Sequence, residues 1–176
     1  MKVNDSDIKK LLKGRTVLVI GADGFVGSHL TEKLLFYGAN THVLIRATSS
    51  GMLHNLSHIK DNITVHHGDL TDKQALRQIL KTIKRTGKKA IIFHLGAQAH
   101  VGESWERSFE TINTNTLGTL NLLQTVVDLD MDLYKFDTAG TSEEYGNVHP
   151  EMADQYRFDK SGGLILDEKS PLNPQS

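Results

Sequence analysis

An α/β fold built on a doubly wound parallel sheet is predicted by three observations. The apolar run Thr16-Val17-Leu18-Val19-Ile20 leads directly into a turn holding Gly21, Gly24 and Gly27, and an amphipathic segment at 28–37 follows. Strand-like apolar runs and helical periodicities then alternate as far as residue 138, the pattern of parallel strands joined by helical crossovers. The glycines are the third observation, because a strand that delivers them to a helix N-terminus suits a dinucleotide pyrophosphate. Glycine lets the backbone approach closely, and the free N–H groups of the first helical turn attract phosphate.

The elements follow in order. Residues 6–13 place Ile8, Leu11 and Leu12 at helical spacing before Gly14, a short leading helix that covers the sheet edge. Leu30, Leu34 and Leu35 line one face of the helix after the glycine turn, and Gly38 stops it before a strand at 41–45. A third strand at 63–66, a helix with its apolar face at 76–83 and a fourth strand at 90–95 come next. A long helix at 108–128, with Leu117, Leu120, Val126 and Val127 among its apolar positions, leads to a fifth strand at 133–138. From Gly146 the pattern dissolves into turn signals, the mark of an irregular substrate-side loop. The expected division is a leading helix at 1–14, a nucleotide-binding domain at 15–146 and a loop or tail at 147–176.

Composition narrows the function classes. A chain of 176 residues is one domain by prior, large enough to bury about two-thirds of the surface it exposes when unfolded. A net charge of −1 argues against nucleic acid and anionic membranes as partners, so phosphate recognition must be local. The absence of cysteine removes disulfides, thiolate metal sites and thiol catalysis. No apolar run is long enough to span a membrane, no signal core begins the chain, and a cytoplasmic location is expected.

At the end of strand two, where an acid commonly holds the adenosine ribose, stands Arg46, followed by Ala47-Thr48-Ser49-Ser50. A guanidinium with neighbouring hydroxyls suits a ribose 2′-phosphate and tilts the cofactor toward NADP over NAD. The alternative is a solvated arginine, with NAD held by backbone contacts. Asp69, after strand three, either accepts a bond from the adenine amine or caps the helix that begins after Thr71. His54 and His58 have helical spacing for a metal but no evident third ligand, so a solvated helix is expected and no metal site. Asp137 stands in strand five where an apolar residue is expected, and a buried acid there needs a partner or a raised pKa.

Residues 21–27, Asp69-Leu70, His94-Leu95-Gly96-Ala97-Gln98, Asn115-Thr116-Leu117-Gly118-Thr119 and Thr141-Ser142-Glu143-Glu144-Tyr145-Gly146 occur in the order and spacing of the extended short-chain dehydrogenases/reductases. From about Arg15 onward the chain resembles the N-terminal part of the NAD(P)-dependent nucleotide-sugar epimerases and dehydratases, and is most similar to the 4,6-dehydratases of the GDP-mannose or dTDP-glucose type. The resemblance implies a Rossmann-like domain and a nucleotide-sugar substrate. It implies cofactor contacts from Gly21, Asp23, Gly24, Phe25, Val26, Gly27, Asp69, Leu70, Leu95, Gly96, Ala97, Gln98 and Ala139, beside the Arg46 already read from its position, with Asn115 supporting the neighbouring backbone. It brings His100 and Ser104 near the sugar, although Glu103 departs from the family pattern, and implies a homodimer through the long helix.

The same resemblance implies the chemistry. Hydride removal from C4 of the sugar needs a hydroxyl on the C4 oxygen and a base for its proton, and Thr141 matches the hydroxyl position. Water is then lost across C5 and C6; Glu143 matches the glutamate acting at C5, and Ser142 the guanosine-diphosphate-mannose form of the motif. Epimerases generally lack that glutamate. The family base is a tyrosine with a lysine four residues later on one helical face. Tyr156 and Lys160 have that spacing, but Ser161-Gly162-Gly163 would break the helix, and residues 166–176 resemble the stretch just before the family's tyrosine. The chain is therefore expected to stop short of its base and to turn over little alone. A 4-epimerase is the rival enzyme, and a non-catalytic NAD(P)-sensing module the rival from another class.

Overall fold

The structure, a computed structural model, describes residues 4–46, 53–87 and 89–175. Five strands form its main sheet: β1 (Thr16–Ile20), β2 (Asn40–Ile45), β3 (Thr64–His67), β4 (Ala90–His94) and β5 (Leu133–Thr138). They are all parallel, in the order β3-β2-β1-β4-β5, so the predicted doubly wound sheet is present and is Rossmann-like. β1 takes the centre because its five residues are apolar or small and can be buried on both faces. The chain order reverses between β1 and β4, and the ends of these two strands open the crevice where such sheets bind ligands.

One face of the sheet packs Val17, Val19, Val43, Ile45 and Ile91 against Leu12 of α1 (Asp5–Leu12) and Leu34 of α2 (Phe25–Phe36). The other packs Leu18, Ile20, Leu44 and Ile92 against Leu76, Ile79, Leu80 and Ile83 of α3 (Lys73–Lys84). Each fully buried aliphatic side chain contributes about 1.5–3 kcal/mol. Asn4 caps α1 by accepting from the Asp7 N–H, and the Tyr37 hydroxyl donates to Asp5 at 3.0 Å, fastening α1 beside the end of α2.

Helix α2 begins at Phe25 rather than at 28, so the second half of the glycine turn is already helical. Its buried face is Gly27, Ser28, Thr31 and Leu34, mostly small residues that hydrophobic periodicity does not register. Their polar groups are satisfied within the helix: the Thr31 hydroxyl donates to the Gly27 carbonyl at 2.7 Å, and that of Ser28 to the Phe25 carbonyl at 3.0 Å.

The long helix expected at 108–128 is present as one helical run with a π-helical stretch in its middle. A short helix α4 (Val101–Glu106) precedes α5 (Ser108–Ile112), a π-helical segment (Asn113–Gly118) and α6 (Thr119–Asp128). Leu122 and Thr125 are the buried residues of α6, whereas Leu117, Leu120 and Val127 are exposed. They continue a stripe of exposed apolar side chains, Trp105, Phe109, Ile112, Leu120, Leu123 and Val127, with spacings of three or four residues apart from the step across the π-helical segment from Ile112 to Leu120. This run has a second apolar face, and the leucine count alone cannot say which face the sheet takes. On β5, Asp137 is half-exposed and pairs with Lys135 at 2.8 Å, which removes the need for a buried lone acid.

The chain packs as two compact units, Met1–Thr138 and Ala139–Ser176. The second is less irregular than its sequence suggests. It holds two 3-10 turns (Ser142–Glu144 and Pro150–Gln155) and an antiparallel pair, β6 (Arg157–Phe158) with β7 (Leu164–Ile165). Arg157 bridges to Asp167 at 2.6 Å, and the Asp159 carboxylate accepts from the N–H groups of Ser161 and Gly163, closing the turn. Among the described residues no helix is long and apolar enough to cross a membrane.

Candidate functional site

A cleft of about 580 Å³ opens at the C-terminal ends of the central strands. Its floor is backbone. Gly21 has φ +79°, and a Cβ there would lie 2.8 Å from the Gly96 nitrogen and the Leu95 carbonyl oxygen. A Cβ on Gly96 would in turn lie 3.0 Å from Ile20. The turns after β1 and β4 thus touch through glycine alone, leaving a bare surface against which a large planar or phosphorylated group can lie. Beside it begins α2, whose N-cap is Gly24 and which has no side-chain cap bond, so its first N–H groups remain available to an anion.

The wall after β3 carries Gly68, Asp69, Leu70 and Thr71, and Arg46 at the end of β2 faces the same space. Asp69 accepts from the Thr71 N–H at 2.9 Å and hydroxyl at 2.7 Å. The Thr71 N–H is the main reason its carboxyl lies below the usual range, with the positive charge of Arg46 contributing. Asp69 is not the helix cap: that is Asp72, which accepts from the N–H groups of Gln74 and Ala75. Thr48, Ser49 and Ser50 lie outside the described residues.

The opposite wall is Gly96, Ala97, Gln98 and His100. Asn115 holds it from behind: its amide oxygen accepts from the Gln98 N–H at 2.7 Å, and its amide nitrogen donates to the Gln98 carbonyl at 3.0 Å. The Gln98 side chain accepts from the His100 N–H and donates to Glu103. Gly118 lets the π-helical segment approach, since a Cβ there would lie 2.7 Å from that of Leu70. His94, at the end of β4, is buried and bonded to the Thr119 hydroxyl at 2.9 Å, and burial pushes its imidazole pKa down.

The structure gathers Gly21, Arg46, Asp69, Leu70, Gly96, Ala97, Gln98 and His100 around one cleft. The Leu95 side chain packs against the core while its carbonyl lies beside Gly21 in the cleft floor, and Ser104 donates its hydroxyl to the Val101 carbonyl. Phe25 and Val26 are exposed on α2, beside Phe36. The Asp23 carboxylate accepts from the N–H groups of His54 and Asn55, at 3.2 and 2.8 Å, and so braces the glycine turn against the chain after β2. His58 pairs with Glu32 at 2.8 Å, in a 3-10 turn rather than an α-helix. Arg107 and Glu110 also line the cleft, joined to each other and to Glu103; a bare charge at helical spacing carried no signal for this.

In the second unit Thr141 caps the turn Ser142–Glu144, its oxygen accepting from the Glu143 N–H at 3.2 Å. Ala139, Ser142 and Glu143 are exposed. Tyr156 ends a 3-10 turn as β6 begins, and Lys160 lies in the turn before β7, so the two do not share a helical face. Tyr156 is buried and its hydroxyl has no partner among the described residues.

Known proteins match along the same length. The family profile described as GDP-mannose 4,6 dehydratase matches residues 18–162. The GDP-mannose 4,6 dehydratase of Cricetulus griseus is 36% identical over 154 residues, covering 82% of this chain and 40% of that protein. The human GDP-mannose 4,6 dehydratase is 38% identical over 140 residues, covering 74% and 37%. Among solved structures, UDP-glucose 4-epimerase of Thermus thermophilus in complex with NAD superposes with a TM-score of 0.70 at 28% identity, covering 92% of this chain and 45% of that one. The chain spans about 40% of the length of these curated relatives. A profile match running from β1 through the β6 turn, on a sheet of this order, makes the chain a member of the GDP-mannose 4,6-dehydratase family.

Proposed function

We propose that this chain is the NAD(P)-binding part of a nucleotide-sugar 4,6-dehydratase. The observation that carries the reading is the glycine floor at the sheet's reversal point, where Gly21 meets Gly96 with no room for a side chain. A dinucleotide fits the groups present: the uncapped start of α2 beside the pyrophosphate, Asp69 toward the adenine amine, and Arg46 toward the ribose. Arg46 favours NADP, because a guanidinium forks onto a 2′-phosphate. When bound, the nicotinamide takes a hydride from C4 of the sugar and later returns one.

The remaining roles fall to Thr141, Ser142 and Glu143. The Thr141 oxygen accepts one bond, which leaves its O–H to donate to the sugar C4 oxygen. The Glu143 carboxylate is exposed and accepts no hydrogen bond from another described residue, the state required of a carboxylate that takes the C5 proton. His100, which lines the cleft, is given to the sugar, and Ser104, whose hydroxyl donates to the Val101 carbonyl, offers it only an acceptor oxygen. The stripe from Trp105 to Val127 pairs two copies through their long helices.

Titration with NADPH and NADH tests the first claim, and absence of saturable binding by either sinks it. Incubating the product of the whole encoding reading frame with sugar nucleotides tests the second: a 4-keto-6-deoxy product is expected, and a stereoisomer formed without loss of water would make the protein an epimerase.

A further inference from the structure

His94 has no part in the chemistry above, yet it is 4% exposed and sits where β4 enters the cleft. Its Nε2 lies 2.9 Å from the Thr119 hydroxyl oxygen, and that hydroxyl donates to the Asn115 carbonyl at 2.7 Å. A hydroxyl has a single proton. With that proton on Asn115, Thr119 can only accept from His94, so Nε2 carries the imidazole hydrogen. The other nitrogen agrees: Nδ1 is buried without a partner among the described residues, and an orphaned lone pair is tolerated more readily than an orphaned N–H.

Thr119 opens α6, and Asn115 lies within the π-helical segment, where the widened turn departs from α geometry. The hydroxyl bond ties that turn to the next. From Asn115 the connection continues to both main-chain groups of Gln98, in the wall of the cleft.

We infer that His94 is a positioning residue for the cofactor cleft: as the Nε2–H tautomer it fixes the Thr119 hydroxyl, which fixes Asn115, which holds the Gln98 backbone. The inference rests on reading the cleft as the dinucleotide site, and two of its three tests need no cofactor. Long-range nitrogen NMR of the wild-type chain is expected to show the His94 hydrogen on Nε2. Amide exchange at Gln98 is expected to quicken about tenfold in His94→Leu and Thr119→Val, which lack the donor and the hydroxyl, and to stay near wild type in His94→Gln and Thr119→Ser, which keep them. NADPH affinity is expected to fall about tenfold in the first pair and to be restored in the second. A hydrogen on Nδ1, or unchanged Gln98 exchange in Thr119→Val, would overturn the relay. A wild-type chain that takes up no NADPH overturns the cofactor clause, and is told apart because exchange and tautomer are read without it.

Discussion

A Cβ on Gly27 would lie 2.2 Å from the carbonyl oxygen of Gly21. The first turn of α2 therefore rests on the backbone of the glycine turn itself, and neither partner is a flexible side chain that could move aside. Gly27→Ala is expected to destabilise the fold by about 1–3 kcal/mol through overpacking. Gly102→Ala is the control, since a Cβ there meets nothing within 4 Å and alanine favours helix α4. Urea midpoints should fall for the first substitution and hold or rise for the second.

Arg46 supplies the positive charge nearest Asp69 on its wall of the cleft. Arg46→Gln is expected to weaken NADP binding about tenfold while NAD binding changes less than about twofold, because only the 2′-phosphate loses a charged partner. Calorimetric titration with both dinucleotides separates the outcomes. A parent chain that prefers NAD would refute the role given to Arg46.

His42 and His66 meet across β2 and β3, with Nδ1 of one 3.0 Å from Nε2 of the other. Burial lowers both pKa values, and the charge of His66 lowers that of His42 further. The unfolded chain then binds more protons than the folded one. Stability is fully present above the ordinary imidazole pKa of about 6.5 and is lost as pH falls from there toward the lowered folded values. Melting temperature should drop between pH 7.5 and 5.5, and His42→Gln should flatten that slope.

Asp69 and Asp72 stand three residues apart with different duties. Asp72→Ala removes the cap of α3 and is expected to cost about 1 kcal/mol of stability without altering cofactor selectivity. Asp69→Asn, which keeps an acceptor for Thr71, is expected to leave stability nearly unchanged and to act on adenine recognition. Unfolding curves and binding titrations on the same two proteins test the split.

The stripe along α4 to α6 predicts an oligomeric defect without a folding defect. Phe109→Glu with Leu120→Glu is expected to shift sedimentation toward monomer while leaving the circular dichroism spectrum intact, since both side chains are exposed in the single chain. A parent chain already monomeric at high concentration would remove the proposed dimer.

The strands were legible because β1, β2 and β4 are apolar runs bounded by glycine or polar turns, and the floor of the cleft because its glycines follow strands in a fixed rhythm. What escaped is held by side-chain hydrogen bonds. The early start of α2 depends on Gly27, Ser28 and Thr31, which are small and weakly hydrophobic. The π-helical segment depends on Asn115 and Thr119 finding Gln98 and His94, partners that no helical periodicity reveals. The bonds of Asp23 to His54 and Asn55 join residues some thirty positions apart, which no local pattern reveals. Asp69 was the cap the sequence offered for α3, and the bonds of Asp72 to the N–H groups of Gln74 and Ala75 place the cap three residues later.

The ion pair of Lys135 and Asp137 gives β5 a further property. β5, like β3 at the other end of the sheet, has a neighbour on one side only, and an unpaired strand border is a template on which another chain can add. Lys135 and Asp137, two residues apart and so on one face of the strand, put charge beside that border, a means by which edge strands resist pairing. Fibrous stacking through the sheet is thereby discouraged, and encounters between copies are left to the helical faces.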